Sequence, residues 1–132
     1  MAASPILVDS SYYIRAMRMG QDPLRALTVA AVTRDLAICG VVRCEVARGL
    51  RERRVLERYQ VHWDVMINVP TDNRLWGSVE QTLWRLDRQG IILPLPDVIV
   101  ACCALRLNAA LLTHDEHFKR VPGVRTLDRI EA

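Results

Sequence analysis

Residues 97–115, DVIVACCALRLNAALLTHD, decide the fold. From Asp97 to Leu107 the chain is apolar almost all round, which marks a helix buried against a sheet rather than one lying on a surface. Asn108 suits the left-handed residue that ends such a helix, and AALLT, residues 109–113, reads as a buried strand. Working outward, PILV (5–8), LAIC (36–39), MINV (66–69) and VRTL (124–127) read as further short strands, the last at a sheet edge. Between them come a helix from Ser10 to about Met19, stopped by Gly20, and one opened by Asp22-Pro23 that runs to about Thr33 with Leu24, Leu27, Val29 and Val32 apolar. Gly40 leads into a helix carrying Val42, Glu45, Val46 and Leu50, with strongly basic last turns, and a short helix covers residues 55–64. A long amphipathic helix over 72–89 places Leu75, Trp76, Val79, Leu83 and Leu86 near helical spacing before Gly90. IILPLP, 91–96, reads as an extended linker because each proline disfavours helix in the residue before it, and HDEHFKRV as a short helix. Strands and helices alternate, so the expected class is α/β, with a mostly parallel sheet covered on both faces.

With 132 residues the chain fits one domain, residues 1–132. Its longest apolar runs are too short to span a bilayer, and residues 1–8 lack the basic start and apolar stretch of a secretory signal, so a cytoplasmic protein with no membrane partner is expected. Cys39, Cys44, Cys102 and Cys103 form no CxxC pair and no regular spacing with the histidines, which argues against zinc and for reduced core thiols. The net charge of +3 conceals a bias, for Lys119 is the one lysine among 18 basic residues. Six arginines (43, 48, 51, 53, 54, 58) stand against three glutamates between Arg43 and Arg58. Such a surface fits a nucleic-acid backbone, although a solvated helix face or a genome-wide preference for arginine would give the same count.

Four acids stand where apolar segments end or basic ones begin: Asp9, Glu45, Asp97 and Asp115. Each has a plain alternative. Asp9 can cap its helix, Glu45 can pair with Arg48, Asp97 can favour the helix dipole, and Thr113 with Glu116 has the spacing of a capping box around Asp115. Jointly they point elsewhere, because the crevice beyond the carboxyl ends of a parallel sheet brings such positions together. Carboxylates about 5 Å apart repel by on the order of 3 kcal/mol per pair at an effective dielectric near 20, a cost that a hard cation such as Mg²⁺ or Mn²⁺ removes. Ser10 and Thr113 add hydroxyl groups beside these acids. His114 and His117 are able to touch a metal or phosphate, but at this spacing they are more simply exposed helix polars.

In order and spacing, ILVDSSYYI, CEVARGL, LPDVIVACCAL and ALLTHDEHFKRVPGVRTL resemble the motifs of PIN-domain ribonucleases, most closely VapC-type toxins of bacterial toxin-antitoxin pairs. The resemblance implies a PIN-like α/β/α sandwich around a central, mainly parallel five-stranded sheet. It aligns Asp9, Glu45, Asp97 and Asp115 with an acidic quartet that is both catalytic and metal-binding, holding one or two Mg²⁺ or Mn²⁺ ions, with Asp9 and Asp97 as principal ligands. It further implies endoribonuclease cleavage leaving 5′-phosphate and 3′-hydroxyl ends, a VapB-type antitoxin partner, a homodimer, and contacts from Arg48, Arg51, Arg53 and Arg54 to RNA or antitoxin. Cys39 and Gly40 depart from the small hydroxyl residue that many relatives carry there, and Asn108 from a common glycine. A receiver-like domain, which also gathers carboxylates, needs a lysine after a late strand, and Lys119 lies inside the last helical segment. A phosphatase of the Asp-x-Asp type lacks its second acid in Asp9-Ser10-Ser11, and a catalytically silent RNA- or partner-binding relative sits poorly with an intact quartet.

Overall fold

The computed structural model describes residues 3–130, and its centre is the run Ile6–Val8. A strand apolar at every position has no face for water, so it is stable only with helices over both sides of its sheet. β1 (Ile6–Val8) is wholly buried and pairs in parallel with β2 (Leu36–Cys39) on one side and β4 (Ala110–Leu112) on the other. β3 (Ile67–Val69) lies beyond β2 and β5 (Thr126–Leu127) beyond β4, giving the order β3-β2-β1-β4-β5 with every pairing parallel. The five-stranded α/β sheet is present, parallel throughout rather than mainly so. Because the chain runs outward from β1 through β2 to β3 and then returns to β4 on the other side, the strand order reverses between β1 and β4. Ligands collect beyond the strand ends at such a reversal.

Among the described residues six α-helices cover the sheet: α1 (Ser10–Arg18), α2 (Pro23–Ala30), α3 (Gly40–Ala47), α4 (Arg53–Asp64), α5 (Asn73–Arg88) and α6 (Leu95–Leu107). Every residue from Val98 to Ala104 in α6 is buried, as expected of a helix without a polar face. Asn108 ends it at φ 51°, ψ 42°, and Gly90 ends the turn after α5 at φ +77°, both left-handed. Arg125 spans from β5's approach to the α6 terminus, donating to the Asn108 carbonyl at 2.9 Å.

Several boundaries differ from expectation. IILPLP is not extended to its end, because α6 begins at Leu95 with Pro96 in its first turn, and the Pro94 carbonyl accepts the Asp97 N–H at 3.1 Å. Proline is welcome there, since first-turn N–H groups have no partner inside the helix. α2 stops at Ala30 and buries Pro23, Leu24, Leu27 and Ala30, leaving Val29 at 60% and Val32 at 83% exposed. Trp76 is likewise 40% exposed, because Leu75, Val79 and Leu86 define the buried stripe of α5. α3 ends at Ala47, so Arg48 caps it, Arg51 lies in the connection, and Arg53 and Arg54 open α4 instead of crowding one helix end. The last helical segment is a 3₁₀ turn, Glu116–Arg120.

Candidate metal centre

Asp9 follows β1 and caps α1: its carboxylate accepts the Ser11 N–H, while Ser10 and Ser11 turn their hydroxyls to the site. Asp9 is only 4% exposed, and its Oδ2 also accepts the Ser11 hydroxyl at 2.7 Å and the Thr113 hydroxyl at 2.9 Å. A buried carboxylate is tolerated when donors surround it. All these bonds fall on one oxygen, and Oδ1 accepts none from the described residues. Thr113, 5% exposed at the end of β4, then accepts the Asp115 N–H at 3.0 Å, so one hydroxyl joins the first acid to the last. Ser11 completes the clasp by accepting the His114 N–H at 2.9 Å.

Glu45 reaches the same edge from α3, where Ser10 donates to its Oε1 at 3.1 Å. Burial holds its carboxyl above the usual range, the charges of Asp9 and Asp97 add to the rise, and the Ser10 bond opposes it. Asp97 rises for the same leading reason, burial, reinforced by Asp115 and Asp9 and opposed by His117. The acids therefore feel one another as charge. Repulsion of this kind is what a divalent cation relieves.

His117, which the sequence reading weighed as a metal or phosphate contact but set down as a simple exposed helix polar, belongs to the site. Its Nδ1 lies 3.0 Å from Asp97 Oδ2 and 3.3 Å from Asp115 Oδ1, and its backbone N–H donates to Asp115 Oδ1 at 2.9 Å. Hydrogen bonding to Asp97, with the charge of Asp115, raises the imidazole's pKa. Donor atoms of Asp97, Asp115 and His117 all lie within 4.8 Å of one another, close enough to share an ion. Asp9 and Glu45 stand outside this tight trio and join it through Thr113, Ser10 and their charges. The Asp-x-His spacing of residues 115 and 117 is a local signal, but its partner Asp97 lies 20 positions away. The proposed capping box is absent: Asp115, not Thr113, caps the 3₁₀ turn, and Glu116 pairs with Lys119 at the surface.

Beside Asp115 opens a groove of about 600 Å³ whose walls include Arg15, His114, Lys119 and Arg129. The His114 ring stacks with Tyr12 at 6.1 Å and meets Arg15 Nη1 at 3.1 Å. The arginine-rich segment is partly committed elsewhere. Arg43 binds Asp64 at 3.0 Å and lies over Trp63, and Arg58 pairs with Asp22, whereas Arg48, Arg51, Arg53 and Arg54 are exposed and form no ion pair among the described residues.

The PIN domain family matches residues 6–124. The chain belongs to the PIN-domain family. No curated protein matches the chain. Among solved structures, this PIN domain is similar to VapBC from Salmonella typhimurium, solved with DNA, at 18% identity and a TM-score of 0.75 over 95% of this chain and 98% of that one. VapBC-1 from nontypeable Haemophilus influenzae matches at 21% identity and a TM-score of 0.74, covering 93% and 96%. VapBC2 from Rickettsia felis, bound to a DNA fragment from its promoter, matches at 21% and 0.70, covering 92% and 96%. At these identities the likeness is one of fold. Among the described residues of this PIN domain, no helix is long and apolar enough to cross a membrane.

Proposed function

We propose that this PIN domain is a metal-dependent endoribonuclease, the toxin of a type II toxin-antitoxin pair. The observation that carries the reading is the meeting of Asp9, Glu45, Asp97 and Asp115 where the strand order reverses, with carboxyls at Glu45 and Asp97 raised by burial and by neighbouring acids. That donor set, carboxylates with one imidazole and no thiolate, suits Mg²⁺ or Mn²⁺. One or two such ions would polarise the phosphoryl oxygens and lower the pKa of the attacking water. Asp97 and Asp115 supply oxygens from the tight trio, and Asp9 presents the Oδ1 that its hydroxyl partners leave open. Glu45, the half-buried acid with a raised pKa, takes the proton of the water. Ser10 and Thr113 hold Glu45 and Asp9 in place. In-line attack that expels the 3′-oxygen, which takes up a proton, leaves the 5′-phosphate and 3′-hydroxyl ends that the family resemblance implies.

Arg15, Lys119 and Arg129 line the groove beside Asp115, where they attract a phosphate backbone, and the Tyr12–His114 stack offers a platform for a base. The exposed Arg48, Arg51, Arg53 and Arg54 contact either RNA or a VapB-type antitoxin. We assign the protein to the cytoplasm as a homodimer that assembles with its antitoxin into a hetero-oligomer. Purified protein should cleave RNA with Mg²⁺ or Mn²⁺ and stop on EDTA addition. Asp9→Asn and Asp97→Asn should keep the circular dichroism of the fold and lose cleavage. Full cleavage by either variant overturns the assignment.

A further inference from the structure

We propose that His117 is itself a metal ligand, which makes this centre a mixed oxygen and nitrogen site that takes Mn²⁺ in preference to Mg²⁺. The inference rests on the metal-nuclease reading and names the ion and the donor that reading leaves open.

Three observations carry it. First, the imidazole is aimed inward by the backbone. The backbone N–H of His117 donates to Asp115 Oδ1 at 2.9 Å, and the next residue, Phe118, is an anchor only 1% exposed. Second, the spacing matches a coordination shell. An octahedral ion with bonds of about 2.1 Å sets neighbouring donors about 3.0 Å apart. Nδ1 stands 3.0 Å from Asp97 Oδ2 and 3.3 Å from Asp115 Oδ1. Third, the ring has a free side, since the His117 side chain is 50% exposed and can carry its proton on Nε2 while the Nδ1 lone pair faces the carboxylates. Without an ion the same distances serve a hydrogen bond from a protonated Nδ1, and on metal binding that proton gives way to the cation while the ring stays in place. A nitrogen donor then sets the selectivity. Mg²⁺ is bound through carboxylate oxygens and retained waters, whereas first-row ions accept imidazole, and Mn²⁺ is the member of that series that also suits an oxygen-rich shell.

The chain has three histidines, His62, His114 and His117, so the test is spectroscopic. Tag-free full-length protein is loaded with Mn²⁺, and electron spin echo envelope modulation is recorded for the wild type, His117→Ala, His117→Gln and His114→Ala. Circular dichroism checks that each variant is folded. Directly bound ¹⁴N is expected in the wild type and in His114→Ala, and is expected to be lost in both His117 variants. Titrations by calorimetry should show a Mn²⁺ over Mg²⁺ preference in the wild type that shrinks by roughly tenfold in the His117 variants, as the loss of a metal-supporting side chain commonly produces. Bound Mn²⁺ without nitrogen coupling, or coupling that survives in folded His117→Gln, overturns the proposal and leaves the metal-nuclease reading standing. Failure of every form to bind Mn²⁺ overturns both.

Discussion

The site has two halves held by different means. Around Asp9 the partners are hydroxyls: Ser11 and Thr113 lie within 3.0 Å of Oδ2, and both Asp9 and Thr113 are almost fully buried. Around Asp97 the partner is an imidazole that is half exposed and shared with Asp115. Hydroxyl donors are neutral and are held on buried or capped positions, so the Asp9 half is held together without an ion. The His117 contact is one that an arriving cation converts from a hydrogen bond into a shared coordination shell. One half is preorganised at the stage of folding, and the other is completed by the ligand. Catalytic sites need both, because carboxylates held rigidly together with no counter-charge would oppose the fold that carries them.

The comparison breaks most directly if either half proves dispensable. Asp97→Asn and Asp9→Asn should each lower cleavage by more than about 100-fold, beyond what loss of a merely supporting group produces, as read by single-turnover assay with Mn²⁺ in excess. Next in size is Thr113→Val, which keeps the shape but removes the hydroxyl that joins Asp9 to the Asp115 N–H. It should cost about 10- to 100-fold in activity. It should also cost about 1–3 kcal/mol in urea melts, because a buried donor and acceptor lose their partner. A Thr113→Val protein with unchanged stability would mean that the Asp9 half is not held as described.

Much of this was legible before any coordinates, for identifiable reasons. Asp9 and Thr113 each close an apolar strand, and strand ends in a parallel sheet share one edge, so the order of residues implies their meeting. Asp97 stood out because it opens a helix that is otherwise apolar almost all round. Less was visible wherever the answer depended on phase or on a distant side chain. Val29 and Val32 fit an apolar pattern, yet which face of α2 meets the sheet is settled by Leu24 and Leu27. Pro96 is a helix breaker in the interior and a good residue in the first turn, so the sequence around it supports both readings. His117 was named but read as an exposed polar, because its role exists only through Asp97, on another element. Asp115 looked like part of a capping box, whereas it is itself the cap.

A smaller effect sharpens the contrast between the halves by pH. The His117 pKa is raised by Asp97 and Asp115, so its pairing stabilises the metal-free fold fully below about 6.5, the ordinary value, and that contribution is lost as pH rises through the raised folded value. Asp97 and Glu45, also raised, carry the same sign at lower pH. In EDTA, wild-type stability should fall relative to Asp97→Asn between pH 6 and 8, tested by paired thermal melts. Saturating Mn²⁺ should reverse the order, adding about 2.7 kcal/mol to the wild type at 100 times its dissociation constant and little to the variant. A wild type unmoved by Mn²⁺ would remove the distinction between a preorganised half and a ligand-completed one.

Under the proposed function, the smallest expected effect concerns which half an RNA strand would approach. The groove beside Asp115 offers Arg15, Lys119 and Arg129, although Lys119 is engaged by Glu116. The second cationic surface, Arg48 to Arg54, lies beyond the end of α3, the helix that carries Glu45. Each phosphate contact removed should flatten the salt dependence of single-strand binding by about 0.7 in slope, without altering sequence preference. Arg15→Ala should produce that change if the strand lies along the His117 side, and should also weaken stacking, since Arg15 holds His114 against Tyr12. The double variant Arg53→Ala, Arg54→Ala should leave the slope unchanged and instead weaken capture of the antitoxin that the proposed function calls for. A slope that falls by about 1.4 in the double variant, with Arg15→Ala silent, would move the RNA to the Glu45 side and make the groove at Asp115 a place for something other than substrate.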